Sequence, residues 1–290
     1  MLSFVSYVNP FFSYFSHHTI TIPPPPWISC CHANGTAVLG TIIFEWEAGA
    51  TKCRKILQKN ADGSLSQAAL AFCNNLVFLC CQMHFDGYLI NVECSLTTDE
   101  IAVLIEWLSL IRSQLKSRIP HSLLIWYDAV TVDGQLVWQN ALNAKNKPFF
   151  DVCDAIFLNY AWDQAAASSS AAAAGGRACD MFLGVDVFGR GTFGGGKFNS
   201  HAAAAMAQVC RAAIHCAFHL LIARHLPLRW WGAACRCLLR AGRTSAPPTV
   251  WTSKSTLHPR AHLSESSRTT QHDAQLRIPA VAGARVEAAG

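Results

Sequence analysis

The chain has 290 residues, a length that accommodates one large domain or two smaller ones. Its residues are 51% hydrophobic and only 14% charged, so it can bury a sizeable core. The formal net charge of +5 is unevenly distributed: residues 1–200 hold 12 Lys and Arg against 15 Asp and Glu, and residues 201–290 hold 11 against 3. This basic C-terminal part lacks the motifs and aromatic interleaving of nucleic-acid-binding segments, so no nucleic-acid partner is predicted.

The apolar stretches are not typical of membrane or export segments. Residues 1–15 lack a basic region and a small-residue cleavage site, and Asn9-Pro10 interrupts them, so we do not expect a signal peptide. The longest uncharged stretch after residue 200 covers 212–223 and is too short to span a bilayer. These features predict a cytosolic protein without a membrane partner.

The 13 cysteines show no disulfide-framework spacing. Cys30-Cys31, Cys73 and Cys80-Cys81 lie in apolar runs, which favours buried, reduced thiols and a reducing compartment. Cys235-x-Cys237 has a poor spacing for zinc. We predict no metal site and no cofactor.

Six apolar runs are typical of strands. Because the runs are continuously hydrophobic, they favour strands covered on both faces, as in parallel sheets. Helical patterns lie between them, at Ser66 to Met83 and at Thr98 to Lys116, the second with a threonine cap and an acidic first turn. This alternation predicts an α/β fold of the (β/α)8 TIM-barrel type, with about six of eight strands recognisable. The six runs are 11–17, 38–45, 88–93, 123–128, 156–160 and 181–186.

Two later segments break this pattern. Gln164 to Gly176 is low in complexity and rich in Ala, Ser and Gly, which predicts a tolerated surface insertion. After about Gln208 no strand or helix period continues, as expected of a disordered tail or of a shifted reading frame. We therefore predict a partial barrel domain over residues 1–207 and a basic tail without a recognisable domain over 208–290.

Polar and aromatic side chains recur at the C-terminal ends of the predicted strands, which meet at one mouth in a barrel. Asn91 and Glu93 are two residues apart and therefore project to the same face of their strand. A carboxylic acid beside a fixed amide suits the hydrolysis of an N-acetylated sugar with the substrate's acetamide as nucleophile. The other residues at these ends are Glu45, Trp46, Tyr127, Asn159, Tyr160, Trp162, Asp186 and Arg190.

An ordered set of segments over about residues 11–200 resembles the cytosolic endo-β-N-acetylglucosaminidases of glycoside hydrolase family 85. An ordered set of this kind is far more specific than any single motif. Its members are Tyr14-Phe-Ser-His-His18, Thr21-Ile-Pro-Pro24, Val38-Leu-Gly-Thr41, Glu45-Trp46, Phe85-Asp-Gly-Tyr-Leu-Ile-Asn-Val-Glu93, Trp126-Tyr-Asp128, Gly134 to Asn140, Asn159-Tyr160 and Gly184-Val-Asp-Val-Phe-Gly-Arg-Gly191.

The resemblance implies cleavage of the GlcNAcβ1-4GlcNAc core of N-linked glycans, with N-glycans, glycoproteins or free oligosaccharides as substrates of a monomeric enzyme. It assigns Asn91 to polarising the substrate acetamide and Glu93 to the general acid and base. Tyr127 would help to hold the acetamide, and the remaining strand-end residues would contact the sugar. Substrate-assisted families are the exception to the two-carboxylate mechanism of retaining glycosidases. Among aromatic residues, Trp138 and Trp162 would either stack on sugar rings or belong to the core.

Three departures leave alternatives open. The family's barrel has a further strand before and after the matching region, so the chain is expected to be truncated, with exposed sheet edges. It would then be an inactive isoform or a non-catalytic glycan-binding remnant. A family 18 chitinase-like hydrolase is the enzymatic alternative, but Leu89 and Asn91 stand where its signature needs aspartates. His17, His18, His32 and Asp86 are predicted to be structural or peripheral.

Overall fold

A computed structural model describes residues 11–210 and, for the backbone alone, residues 213–217. Predictions for residues 1–10, for Cys235 and Cys237 and for most of 208–290 lie outside this part of the chain. Its strands are β1 (Phe11–Ser13), β2 (Ile20–Thr21), β3 (Ala37–Glu45), β4 (Gly87–Glu93), β5 (Leu123–Tyr127), β6 (Ala155–Leu158), β7 (Met181–Asp186) and β8 (Ala213–Ala217). Its α-helices are α1 (Pro25–Ala33), α2 (Trp46–Ile56), α3 (Gln67–Met83), α4 (Thr98–Arg118), α5 (Lys147–Val152), α6 (Gln164–Ala174) and α7 (Ser200–Val209).

The strands form one sheet in the order β1-β3-β4-β5-β6-β7-β8, and every neighbouring pair in this order is parallel. Only the two-residue β2 runs antiparallel, beside β3. Helices connect successive parallel strands, as the parallel arrangement requires. The six predicted strands are therefore confirmed, and so is the α/β fold of barrel type.

One face of this sheet encloses its own small core. Phe11 on β1 meets Phe182 on β7 with ring centroids 5.0 Å apart and planes at 89°. Four strands separate β1 from β7 in the sheet order, so this contact requires the sheet to curl as a barrel wall does. The interior cluster comprises Phe11, Leu39, Leu89, Ile125, Ala155, Phe157 and Phe182.

The other face of the sheet packs against the helices in a larger apolar core. Residues of β4 alternate between the two layers, since Leu89 faces the interior while Tyr88, Ile90 and Val92 belong to the helix-covered layer. Helix α4 begins with a complete capping box between Thr97 and Glu100, as its sequence predicts. A capping side chain of this kind stabilises a helix by about 1 kcal/mol.

Two buried carboxylates close the N-terminal ends of the strands. Asp86 accepts a hydrogen bond from the backbone N–H of Val38 at 2.6 Å and contacts His32 (2.7 Å) and His121 (3.2 Å). Next to it, Gly87 has φ +134°, and an added Cβ would stand 1.9 Å from the carbonyl oxygen of Leu123. The predicted structural roles of Asp86 and His32 agree with this geometry.

Asp154 does the same one strand further along the sheet. It accepts the backbone N–H of Leu124 at 2.9 Å and pairs with Arg112 (2.9 Å) and Lys116 (3.2 Å) of α4. Each carboxylate thus satisfies a strand-end N–H that would otherwise be buried without a partner.

Two sequence-based expectations need correction. The segment predicted to be a surface insertion forms helix α6, in which Ala167 and Ser170 are buried. Alanine is the best helix former, and Asp163 caps the helix by accepting the N–H of Ala166 at 2.7 Å. Beyond residue 207, helix α7 continues to Val209 and β8 pairs with β7, which adds a seventh parallel strand to the six predicted.

The cysteines of the described residues are free thiols. Cys73 and Cys80 are buried as expected, and burial raises the pKa of Cys73 to about 12. Cys30, in contrast, is exposed, because α1 buries only Ile28. Across residues 11–210, no helix combines the length and the apolar character needed to cross a membrane.

Candidate active site

Five predicted site residues share one position in the sheet. The side chains that face the barrel interior alternate along each strand, for example Leu39 on β3 and Leu89 on β4. Continued to the C-terminal end of each strand or just past it, this alternation reaches a polar residue every time. These residues are Glu45, Glu93, Tyr127, Asn159 and Asp186, so the predicted mouth of the barrel is where they converge.

Asn91 and Glu93 lie on the same face of β4, as their spacing predicts. The amide nitrogen of Asn91 donates a hydrogen bond to Oε1 of Glu93 at 3.0 Å. Asn91 is 3% exposed, and its Oδ1 atom has no hydrogen-bond partner among the described residues. A buried acceptor without a partner costs about 1–3 kcal/mol, which a bound N–H donor would remove.

Burial raises the pKa of Glu93 above its ordinary value, and the nearby Glu45 carboxylate raises it further. The hydrogen bond from Asn91 and the charge of His17 act in the opposite direction but do not cancel burial. Glu45 and Glu93 are partners in the β3–β4 register, so their side chains stand side by side. An acid that stays protonated closer to neutral pH is what protonation of a leaving group requires.

Tyr127 begins a chain of hydrogen bonds that sequence reasoning did not anticipate. Its hydroxyl donates to Oδ1 of Asn159 at 2.9 Å, and Asn159 donates to Oδ1 of Asn140 at 2.8 Å. The backbone N–H of Asn140 in turn donates to Asp128 at 2.8 Å. Burial, and then the charge of Glu93, raise the pKa of Tyr127, so its phenol keeps its proton. The network fixes both Tyr127 and Asn159.

Asn140 was missed as a positioning residue although it lies in a quoted motif. The signal that could have found it is its position after the loop that follows β5, where short polar residues adopt left-handed backbone; its φ is +53°. Asp128, two strands away from the catalytic pair, organises this loop by accepting hydrogen bonds from Asn140, Gln139 and Asn146.

Asp186 and Arg190 contact each other. Asp186 is fully buried and accepts the side chain of Arg190 at 2.7 Å as well as the backbone N–H groups of Phe188 and Arg190. Burial alone would raise the pKa of Asp186, but these hydrogen bonds outweigh it and lower the pKa. The carboxylate therefore orders the loop after β7, and Arg190 is the member of the pair that reaches solvent.

The predicted aromatic contacts divide into exposed and buried side chains. Trp46 is 76% exposed and has a left-handed backbone, φ +58°, directly after Glu45. Trp138 is 40% exposed and hydrogen-bonds to Tyr127, while Tyr160 is half-buried beside it. Trp162 is 3% exposed, stacks on Phe193 and donates to the carbonyl of Gly184, so the core alternative holds for this residue and its predicted sugar contact is corrected.

His17 lies at the mouth, whereas sequence reasoning treated it as peripheral. Its Nδ1 atom is 2.9 Å from Oε1 of Glu45. No spacing in the sequence signals this contact, because 28 residues separate the two side chains. Within residues 11–210, no group of three or more His, Cys, Asp and Glu side chains is arranged to hold a metal ion.

A barrel sheet whose carboxyl end carries a single protonatable carboxylic acid beside a buried amide defines the class of glycoside hydrolases with substrate assistance. The family model "Glycosyl hydrolase family 85" matches residues 1–223. The chain belongs to glycosyl hydrolase family 85.

Named relatives agree with this family. The chain is 42% identical over 197 residues to "Cytosolic endo-beta-N-acetylglucosaminidase 1" of Arabidopsis thaliana, covering 68% of this chain and 28% of that protein. It is also 42% identical over 189 residues to the cytosolic endo-beta-N-acetylglucosaminidase of Homo sapiens, covering 65% and 25%. The chain thus matches about a quarter of the length of these curated relatives.

A solved structure also aligns with the chain. The Endo-D glycoside hydrolase domain of Streptococcus pneumoniae R6 is 29% identical, with a TM-score of 0.48 over 57% of this chain and 27% of that one.

Proposed function

We propose that this chain carries the catalytic residues of an endo-β-N-acetylglucosaminidase that cleaves the GlcNAcβ1-4GlcNAc core of N-linked glycans. The observation that carries the proposal is the buried Asn91 amide, whose nitrogen is bonded to Glu93 and whose oxygen has no partner among the described residues. An N-acetylated sugar brings both a nucleophile and an N–H donor to such a site. Support comes from the family and from the names of the relatives.

In the first step, the acetamide N–H of the sugar donates to Oδ1 of Asn91. This hydrogen bond shifts electron density to the acetamide oxygen, which attacks the anomeric carbon. The glycosidic C–O bond breaks, and the leaving oxygen takes the proton of Glu93. Because Asn91 already donates to Oε1 of Glu93, Oε2 is the oxygen left to carry that proton.

In the second step, the Glu93 carboxylate removes a proton from water, which attacks the anomeric carbon of the oxazolinium. The ring opens, the acetamide is regenerated and the sugar retains its configuration. Tyr127, fixed by Asn159, presents its hydroxyl beside the acetamide, and Trp46, Trp138 and Glu45 form the exposed rim for neighbouring sugars. Tyr160 and Arg190 extend this rim, and Asp186 holds Arg190.

A family 18 chitinase-like reaction is not proposed. That reaction needs aspartates at the positions of Leu89 and Asn91, and Leu89 instead packs in the apolar interior cluster. By analogy with the relatives named cytosolic, we infer a cytosolic location, with N-glycans, glycoproteins or free oligosaccharides as substrates. A monomeric state stays a prediction.

The test is the hydrolysis of a glycopeptide by the whole chain and by Glu93→Gln. Loss of the acid should lower oligosaccharide release by about 10²–10⁴-fold. Glu47→Gln is the matched control, because Glu47 is fully exposed two residues beyond Glu45 and should leave the rate unchanged. Near-normal turnover by Glu93→Gln, or no hydrolysis by the unmodified chain, would contradict the proposal.

A further inference from the structure

His17 is the closest titratable neighbour of the rim carboxylate Glu45. It lies between β1 and β2, and its Nδ1 atom is 2.9 Å from Oε1 of Glu45. The side chain of His17 is 67% exposed, while that of Glu45 is only 13% exposed. The contact therefore holds a largely buried carboxylate by a group that solvent reaches.

Glu45 needs such a restraint because of its neighbour. It stands opposite Glu93 in the β3–β4 register, where Cα atoms of paired strands are about 5 Å apart. Two carboxyl groups at this separation can share one proton. A Glu45 that turned toward Glu93 would accept the proton that Glu93 must deliver to the leaving group.

The geometry points to His17 as a positioning residue that holds Glu45 away from the acid proton of Glu93. This inference rests on the proposed function, since it gives that same site a further working part. With His17 in place, Glu45 bonds outward and Glu93 keeps only its hydrogen bond from Asn91. Without it, Glu45 is free to take the proton of Glu93, which makes Glu93 a weaker acid.

The other charged and titratable groups around the pair do not provide the same restraint. Tyr127 on β5 faces Glu93 but donates its proton to Asn159. Lys52 on α2 reaches Thr19 at 2.9 Å rather than Glu45. His18 is exposed, and the structure gives its imidazole no hydrogen bond or ion pair with the described residues.

Three variants of the whole chain test the role of His17. In His17→Ala, kcat for glycopeptide hydrolysis should fall by about two- to fivefold, the size of effect typical of one exposed pair, and the alkaline limb of the pH profile should move to higher pH. His17→Asn keeps an N–H donor near the position of Nδ1 and should restore most of kcat. His18→Ala is the matched control and should behave as the unmodified chain.

A second measurement does not require activity. In ¹³C NMR of labelled glutamate, the carboxyl pKa of Glu93 should be higher in His17→Ala than in the unmodified chain, and His17→Asn should return it. An unchanged titration of Glu93, or an equal effect of His18→Ala, would overturn the inference. If the unmodified chain hydrolysed nothing, the proposed function would fail, and the titration of Glu93 would still decide the role of His17.

Discussion

The two ends of the parallel sheet use acidic side chains in opposite ways. At the N-terminal end, Asp86 and Asp154 have backbone and cationic partners at every side, and each closes a neighbouring strand. At the C-terminal end, Glu93 is bonded only to an amide whose own oxygen is unpaired among the described residues. The comparison shows that hydrogen-bond saturation, more than residue type or burial, separates a structural carboxylate from a candidate catalytic one.

The largest expected effect is on the catalytic pair. Asn91→Ala removes the acceptor for the acetamide N–H, and glycopeptide hydrolysis should fall by about 10²–10³-fold, as when one preorganised hydrogen-bond group is lost. A preformed sugar oxazoline bypasses the step that Asn91 assists and should still be transferred to a GlcNAc acceptor through Glu93. Equal loss of both activities in parallel assays would mean that Asn91 is structural.

At the opposite end, Asp86→Ala should affect folding rather than chemistry. It leaves the N–H of Val38 without its acceptor, and the free energy of unfolding should fall by about 1–3 kcal/mol in urea titrations. Asp86→Asn keeps a side-chain oxygen for Val38 and should recover part of this loss. Asp62→Ala, in an exposed turn, is the control. A stable Asp86→Ala chain would remove the structural half of the comparison.

The smallest expected effect is a displacement of the pH profile. Glu45→Gln removes a negative charge that raises the pKa of Glu93, so the pKa of Glu93 should fall toward its ordinary value. The general acid would then lose its proton at lower pH, and the alkaline limb of kcat/KM should move to lower pH. Measurement of kcat/KM across pH 5–9 tests the sign of this shift. An unmoved limb would show that burial alone sets the acidity of Glu93.

Much of the barrel was predictable because local patterns and tertiary packing agree. The apolar run at Tyr88 to Glu93 forms β4, and the threonine-capped pattern after it forms α4. The Ala-rich segment misled the analysis because its composition is compatible with a linker and with a helix; contact of Ala167 and Ser170 with the core favours the helix. The short β8 shows no clear alternation, so only its pairing with β7 defines it.

The sequence by itself determined which residues carry the chemistry. A strand places side chains two apart on one face, and parallel strands end at one edge, so the convergence of Asn91, Glu93 and Tyr127 follows from local rules. Tertiary structure alone decided which of the remaining polar groups have partners. Hydrogen bonds such as His17 to Glu45 and Asn159 to Asn140 join distant parts of the chain, and burial of Trp162 depends on packing against Phe193. Contacts over such separations leave no periodic trace in the sequence, because they depend on where the folded backbone brings each side chain.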